Sequence, residues 1–261
     1  QEQLFSYEDM IIGEPLFCDP ENGDYSLAEN SPAVGSGEAG VNMGALGVGC
    51  EAILTPGTIH IATTGSDDTG DGSEDNPYAT IQKGIDTSID GDTVLINTGI
   101  YYENLIGTGN PYENGNENKS IFLISSGDPQ NTIIDGNMNG VVIGMIAKNM
   151  HIEGLTVTGG SAYSDEYMGL VNGAIGTSSE HFFAQSLIIK NVIFTGNQID
   201  INLAYGNGGG AGFDDPLSAT ITNCTFIDGS EGSPSIKIED DQGSYSFLNS
   251  IFFSEFNNSV E

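Results

Sequence analysis

Apolar and polar positions alternate through the second half of the chain in a pattern that returns four times. It reads His151-Ile152-Glu153-Gly154-Leu155-Thr156-Val157, then Ile188-Ile189-Lys190-Asn191-Val192-Ile193-Phe194. It returns as Thr220-Ile221-Thr222-Asn223-Cys224-Thr225-Phe226 and last as Ser246-Phe247-Leu248-Asn249-Ser250-Ile251-Phe252. Three columns align: an apolar one (Ile152, Ile189, Ile221, Phe247), a Gly-or-Asn one (Gly154, Asn191, Asn223, Asn249) and a larger apolar one (Val157, Phe194, Phe226, Phe252). Side chains of a strand point to opposite faces in turn, so the alternation predicts short strands. Spacings of 37, 32 and 26 residues exclude a helical repeat of fixed length. A regular strand core with variable excursions predicts an all-β solenoid of parallel coils, with equivalent residues about 4.8 Å apart. Stacking makes the apolar columns a continuous core. It also predicts an amide ladder at a turn, built by Asn191, Asn223 and Asn249, each amide bonding the next. A β-sandwich of short, similar strands is the competing arrangement.

The same alternation continues upstream. His60-Ile61-Ala62, Thr93 to Asn97, Ile121 to Ile124, Thr132 to Gly136 and Val141 to Ile143 read as strands. Excursions rich in Asn, Gly and Asp separate the strands, notably Gly107 to Asn118 and Asn207 to Asp215. Strand 235–239 places Ile236 and Ile238 inward and Lys237 and Glu239 outward. Between the first two strands lies an acidic, Gly-punctuated loop from Gly65 to Asp75. Asn76-Pro77 then predicts a helix start, Asn as cap and Pro in the first turn. Tyr78, Ile81 and Ile85 form its apolar stripe.

Residues 1–50 differ in texture, with few helix formers and a tight turn predicted at Asn22-Gly23-Asp24. Residues 51–58 read as a linker broken by Pro56-Gly57, which leaves 59–261 as the coil domain. The order "PLF-DP-NGDY-L---SPA-G-G----NMGA-G" between Pro15 and Gly47 resembles the segment that closes secreted right-handed parallel β-helix proteins at their C-terminal end; here it stands first. The passage "GSDDTGDGSEDNPYATIQKGIDTSIDGDTVLINTGIYYENL", Gly65 to Leu105, resembles the N-terminal cap of pectate-lyase-like parallel β-helix proteins. That resemblance implies a right-handed parallel β-helix with a short capping helix over its first coil, a secreted chain and an extracellular or cell-surface location. No capping pattern follows the Phe252 coil. An uncovered coil end is an aggregation template, so residues 1–50 are expected to close a coil end. Head-to-tail packing on the Phe252 end of a neighbouring copy would generate filaments.

Charge narrows the partners. The chain of 261 residues carries 37 acidic residues against 5 lysines and no arginine, a net charge of −32. Nucleic acid and anionic membrane surfaces, which need clustered cations, are not expected. No apolar run reaches the length of a membrane span, and Gln1 opens without the features of a signal peptide. Self-repulsion at this charge is relieved by salt or by Ca²⁺, which takes carboxylate oxygens. Asp67, Asp68, Asp71, Glu74 and Asp75 are the expected Ca²⁺ ligands, with a solvated acidic turn or carboxylates bound to backbone N–H groups as the alternative. Cys18 and Cys50 flank one Gly-rich segment and are expected to pair in an oxidising compartment. Cys224 lies in an inward column as a buried thiol. His60, His151 and His181 are far apart in sequence and read as structural.

The family resemblance implies polysaccharide lyase chemistry, in which Ca²⁺ acidifies a proton beside a uronate carboxyl group and a Lys or Arg removes it. Without Arg, Lys237 is the remaining candidate base, with Glu239, Asp240 and Asp241 beside it as a second Ca²⁺ cluster. Lys148 and Lys190 read as solvated coil residues. Carboxylate pairs such as Asp214-Asp215 arise by chance in so acidic a chain and do not argue for a glycosidase. The expected role is a structural, extracellular surface or filament module that meets other copies of itself or adjacent modules. A Ca²⁺-dependent polysaccharide lyase or a carbohydrate-binding module is the alternative, and a virus-like receptor-binding spike a third reading.

Overall fold

The computed structural model describes residues 14–105, 119–144, 147–165, 169–176, 186–203, 218–227, 236–238 and 243–253, and falls into two units, 1–55 and 56–261. In the first unit, Phe17–Asp19 and Asp24–Ala28 pair antiparallel around a 3-10 turn at Pro20–Asn22, and Val48–Cys50 joins Asp24–Ala28 in parallel. Gly23 takes a φ of 85°, a left-handed conformation that suits glycine in the expected turn. Leu27 and Ala28 are buried. A disulfide joins Cys18 to Cys50. The stretch expected as a linker is divided. Ile53 exchanges two hydrogen bonds with the side chain of Asn30, at 2.8 and 2.9 Å, which holds it to the first unit. Gly57 donates to Asp92 in the second.

Among the described residues the second unit is mostly β, with parallel sheets and one short α-helix. Sheet 1 orders Thr58–Ile61, Thr93–Ile96, Ser120–Ser125, Asn149–Glu153, Ser186–Lys190, Ser218–Thr222 and Ser244–Leu248. Sheet 2 orders Gly99–Tyr101, Thr132–Asp135, Thr156–Thr158, Ile193–Thr195, Thr225–Ile227 and Ile251–Phe253. Sheet 3 holds Ile143–Gly144, Ile175–Gly176, Ile201–Leu203 and Ile236–Ile238. Each sheet runs in sequence order because the chain visits the sheets in turn and lays each strand beside its counterpart one coil earlier. An antiparallel hairpin, Ala162–Asp165 with Gly169–Asn172, projects between two of these visits.

The register places the sequence columns together. Val94, Leu123, Ile152, Ile189, Ile221 and Phe247 are successive partners in sheet 1. Tyr101, Ile134, Val157, Phe194, Phe226 and Phe252 are successive partners in sheet 2. The rings of Phe194, Phe226 and Phe252 stack face to face, with centroids 4.9 and 4.5 Å apart. The stacked geometry follows from equivalent rotamers one strand spacing apart. Cys224 lies in a third inward column behind Leu155 and Val192, and burial pushes its thiol pKa up.

The Gly-or-Asn column has a different basis from the one expected. Gly154, Asn191, Asn223 and Asn249 have φ of 78°, 53°, 54° and 50°. This is the left-handed region, which Gly enters freely and Asn more readily than other side chains. The ladder is made of backbone: Gly154 N donates to Lys190 O, Asn191 N to Thr222 O and Asn223 N to Leu248 O, at 3.0 to 3.1 Å. Among the described residues no bond joins one of these side-chain amides to the next. The turn selects Asn for its φ, and the amide ladder expected of Asn191, Asn223 and Asn249 gives way to a main-chain one.

The first coil is covered. The edge of Thr58–Ile61 is paired by the loop that follows it, since His60 N donates to Gly72 O and Tyr78 N to His60 O, at 2.8 and 3.0 Å. Helix α1, Ile81–Thr87, lays Ile81 and Ile85 on Ile61 and Val94 within one buried cluster. Gly84 permits the approach, because a Cβ there would lie 2.7 Å from Ile61 Cδ1 and 3.0 Å from Val94 Cγ1. The helix begins four residues later than Asn76-Pro77 suggested. Thr80 is the N-cap and accepts from Lys83 N at 3.2 Å. Tyr78 is in a bridge to Ile61, and the Asn76 side chain is spent closing the acidic loop on Thr69 O.

Candidate functional site

Sheet 1 turns its second face outward, and there the register gathers groups that are distant in sequence. Met150, Ile152, Leu187 and Ile189 point into the core, so His151, Glu153, Ile188 and Lys190 point out. Glu153 faces Lys190 on one neighbour, and His151 faces Phe122 on the other. Lys190 Nζ reaches Glu153 Oε1 at 2.7 Å, and His151 Nε2 lies 3.0 Å from Oε2. The left-handed turn brings Asn191 Nδ2 to Oε1 at 3.4 Å. The Phe122 and His151 rings lie 5.7 Å apart, tilted by 50°.

Partial burial opposes ionisation of Glu153, but hydrogen bonding to Lys190 and the charge of Lys190, with His151 adding to both, outweigh it and hold the carboxyl below its ordinary range. The result is a rigid patch with an aromatic ring, an imidazole, an amide and a paired ammonium and carboxylate. Such a set can bind a polar ligand that also offers an apolar face. It holds one carboxylate, whereas glycoside hydrolysis uses two. The Lys190 nitrogen donates to Glu153, so abstracting a proton would first require that pair to open.

The acidic loop serves the cap. Asp67 accepts hydrogen bonds from Ala79 N, Thr80 N and Thr80 Oγ1 at 2.8, 3.1 and 2.7 Å. Burial raises its pKa and those bonds, with the nearby Lys83 charge, lower it further, for a net fall. Asp71 accepts from Ser73 N at 2.9 Å, and its carboxyl is also lowered, by its hydrogen bonds to Ser73. The structure does not gather Asp67, Asp68, Asp71, Glu74 and Asp75. Among the described residues no three His, Cys, Asp or Glu side chains form a group that could hold a metal ion. Glu103, near the end of the passage that resembles a cap, joins the second coil to the helix by accepting from Ile81 N and Gln82 N, each at 2.9 Å. Its burial pushes the carboxyl pKa up despite those bonds.

Lys237 lies on the last strand of sheet 3, opposite Asn202. Glu239, Asp240 and Asp241 lie outside the described residues, as do His181, Asp214 and Asp215. Sequence reading passed over His151 and Lys190 because they are 39 residues apart. Their shared signal was available in the aligned columns, which already put Glu153 and Lys190 in equivalent positions.

No helix among the described residues is long and apolar enough to cross a membrane. No family model matches this chain, and no curated protein does. Among solved structures it is similar to one described as a rhamnogalacturonan lyase, at 14% identity and a TM-score of 0.48. The match covers 75% of this chain and 51% of that one, so the chain spans about half the length of the structure it matches. Likeness at that level assigns no activity.

Proposed function

We propose that this chain is a structural module of a secreted polypeptide displayed at a cell surface. The observation that carries the reading is the single core running through successive coils, every inward column in register from Val94 to Phe247 and from Tyr101 to Phe252. Such a stack is stiff along its axis because each coil is bonded to the next by main-chain hydrogen bonds. The Cys18–Cys50 disulfide supports an oxidising compartment, and the net charge of −32 suits a saline exterior. Antibody labelling of intact producing cells tests the location; a chain found only in the cytosol would sink the reading. Assay of acidic polysaccharides for unsaturated uronate ends tests the role, and turnover would replace a structural role with a lyase.

A second reading, contact with polysaccharide, is favoured by the Phe122, His151, Glu153 and Lys190 patch on sheet 1. Affinity electrophoresis in acidic and neutral glycans, with Phe122→Ala and Lys190→Ala alongside, measures it; retardation that both variants share with the parent would remove the patch from the argument. Calcium belongs to the proposal through the charge alone. Melting in EGTA and in millimolar Ca²⁺ at matched ionic strength decides it. A cation at 100 times its Kd adds about 2.7 kcal/mol, and an unchanged midpoint removes calcium.

A further inference from the structure

The outward face of sheet 1 differs in charge from the chain that carries it. Outward and inward positions alternate along each strand, so the register fixes which side chains share that face. From Thr93–Ile96 to Ser218–Thr222, one outward row is Thr93, Phe122, His151, Ile188 and Thr220. The row beside it is Leu95, Ile124, Glu153, Lys190 and Thr222. A third row, Ser120, Asn149, Ser186 and Ser218, is polar without charge. Apart from His151, the charged side chains in these rows are Glu153 and Lys190, and they neutralise each other at 2.7 Å. A face without net charge thus lies on a chain of net charge −32.

Phe122, His151 and Ile188 lie on three successive strands and span two strand spacings, about 10 Å. An apolar strip therefore runs along the coil axis, with Ile188 39% exposed, and the Glu153–Lys190 pair runs beside it. The His151 and Glu153 side chains are 22% and 23% exposed, so both groups are held in place and still open to a ligand. We propose that this strip binds a neutral glycan laid along the coil axis. The proposal rests on the polysaccharide reading above and names the charge class of the sugar. Apolar faces of the sugar rings cover Phe122, His151 and Ile188. Hydroxyl groups along the sugar edge donate to Glu153 and accept from Lys190 and Asn191. A uronate meets two obstacles: the Lys190 ammonium already serves Glu153, and the field of the acidic chain repels a polyanion. A protein partner would take the ion pair out of water at a desolvation cost, whereas hydroxyl groups replace the water they displace.

Isothermal titration calorimetry of the full chain tests the proposal, with neutral cello-, xylo- and galacto-oligosaccharides in one arm and polygalacturonate oligomers in the other. The expected result is binding in the neutral arm alone, with a Kd that changes by less than about twofold between about 0.1 and about 1 M NaCl. Phe122→Ala and Glu153→Gln are each expected to weaken that binding by about tenfold or more, while far-ultraviolet circular dichroism stays unchanged. Glu153→Gln also frees the Lys190 ammonium, so it is expected to gain affinity for polygalacturonate oligomers at about 1 M salt, where repulsion is screened. A parent that prefers the polygalacturonate arm overturns the proposal and leaves the polysaccharide reading in place. Binding in neither arm overturns both. Neutral binding that Phe122→Ala and Glu153→Gln retain in full overturns the placement on sheet 1. Self-association that Phe122→Ala abolishes, read by sedimentation velocity, would assign the face to a second copy and overturn the proposal as well.

Discussion

Asn223 offers the sharpest test of what holds the coil corner together. The side chain is exposed, its φ is 54°, and its N–H donates to Leu248 O at 3.0 Å. If the turn selects Asn for its backbone conformation, Asn223→Gly keeps the ladder bond and relieves the steric cost. Only the extra entropy of an unfolded glycine opposes it, about 0.5–1 kcal/mol. Gly154 already fills the equivalent corner one coil before Asn191, with a φ of 78°. Asn223→Ala keeps the same bond but must hold a Cβ in the left-handed region at about 1–2 kcal/mol. Asn223→Val adds β-branching and is expected to cost more. The order of stability should be parent and Gly close together, then Ala, then Val. Urea denaturation followed by circular dichroism, with the slope compared across variants, reads these differences as midpoint shifts. A double Asn191→Ala and Asn249→Ala chain, altered two coils or about 10 Å apart, should lose roughly the sum. Should Asn223→Gly lose as much as Asn223→Ala, the side-chain amide would be the stabilising group and the backbone account would be wrong.

Other parts of the fold make their own predictions. Asp67→Ala removes the acceptor of three hydrogen bonds at the start of α1 and is expected to cost about 1–2 kcal/mol at neutral pH. The Asp67 carboxyl is lowered in the fold, so its contribution is complete above the ordinary carboxylate range and fades as pH falls through the lowered value; a cost independent of pH would refute the capping role. Glu103 has the opposite sign. Its carboxyl is raised, so the parent loses some stability as pH climbs from the ordinary Glu range through the raised value, and Glu103→Gln should flatten that stretch of the pH–stability curve. Gly84→Ala forces a methyl group against Ile61 and Val94 and is expected to destabilise the second unit by about 1–3 kcal/mol, read by thermal melting. Reducing Cys18–Cys50, which closes a separation of 32 residues, should remove about 4 kcal/mol in the chain-entropy model; proteolysis of residues 14–55 before and after reduction measures it.

The stacked columns were legible in the sequence because they rest on local chemistry repeated. Alternation with period two marks a strand wherever it occurs, and a parallel stack places like residues on like, so Ile152, Ile189 and Ile221 could be aligned without coordinates. The Gly-or-Asn corner was visible for the same reason, since few residues accept a positive φ, although which atoms form the ladder was not. The acidic loop and the Tyr78, Ile81 and Ile85 stripe announced a cap. Their roles changed because Asp67 accepts from Ala79 N, Asn76 donates to Thr69 O and Thr80 accepts from Lys83 N, while Tyr78 bridges to Ile61, so the helix starts after Thr80.

Tertiary structure alone brought Phe122, His151, Glu153 and Lys190 onto one patch, since strands separated by excursions of different lengths become neighbours only through register. It alone assigned Glu103 to a helix 22 residues earlier in the chain. It alone showed that α1 and the loop before it cover the first coil, because exposure depends on what lies across an edge and not on the residues that form it.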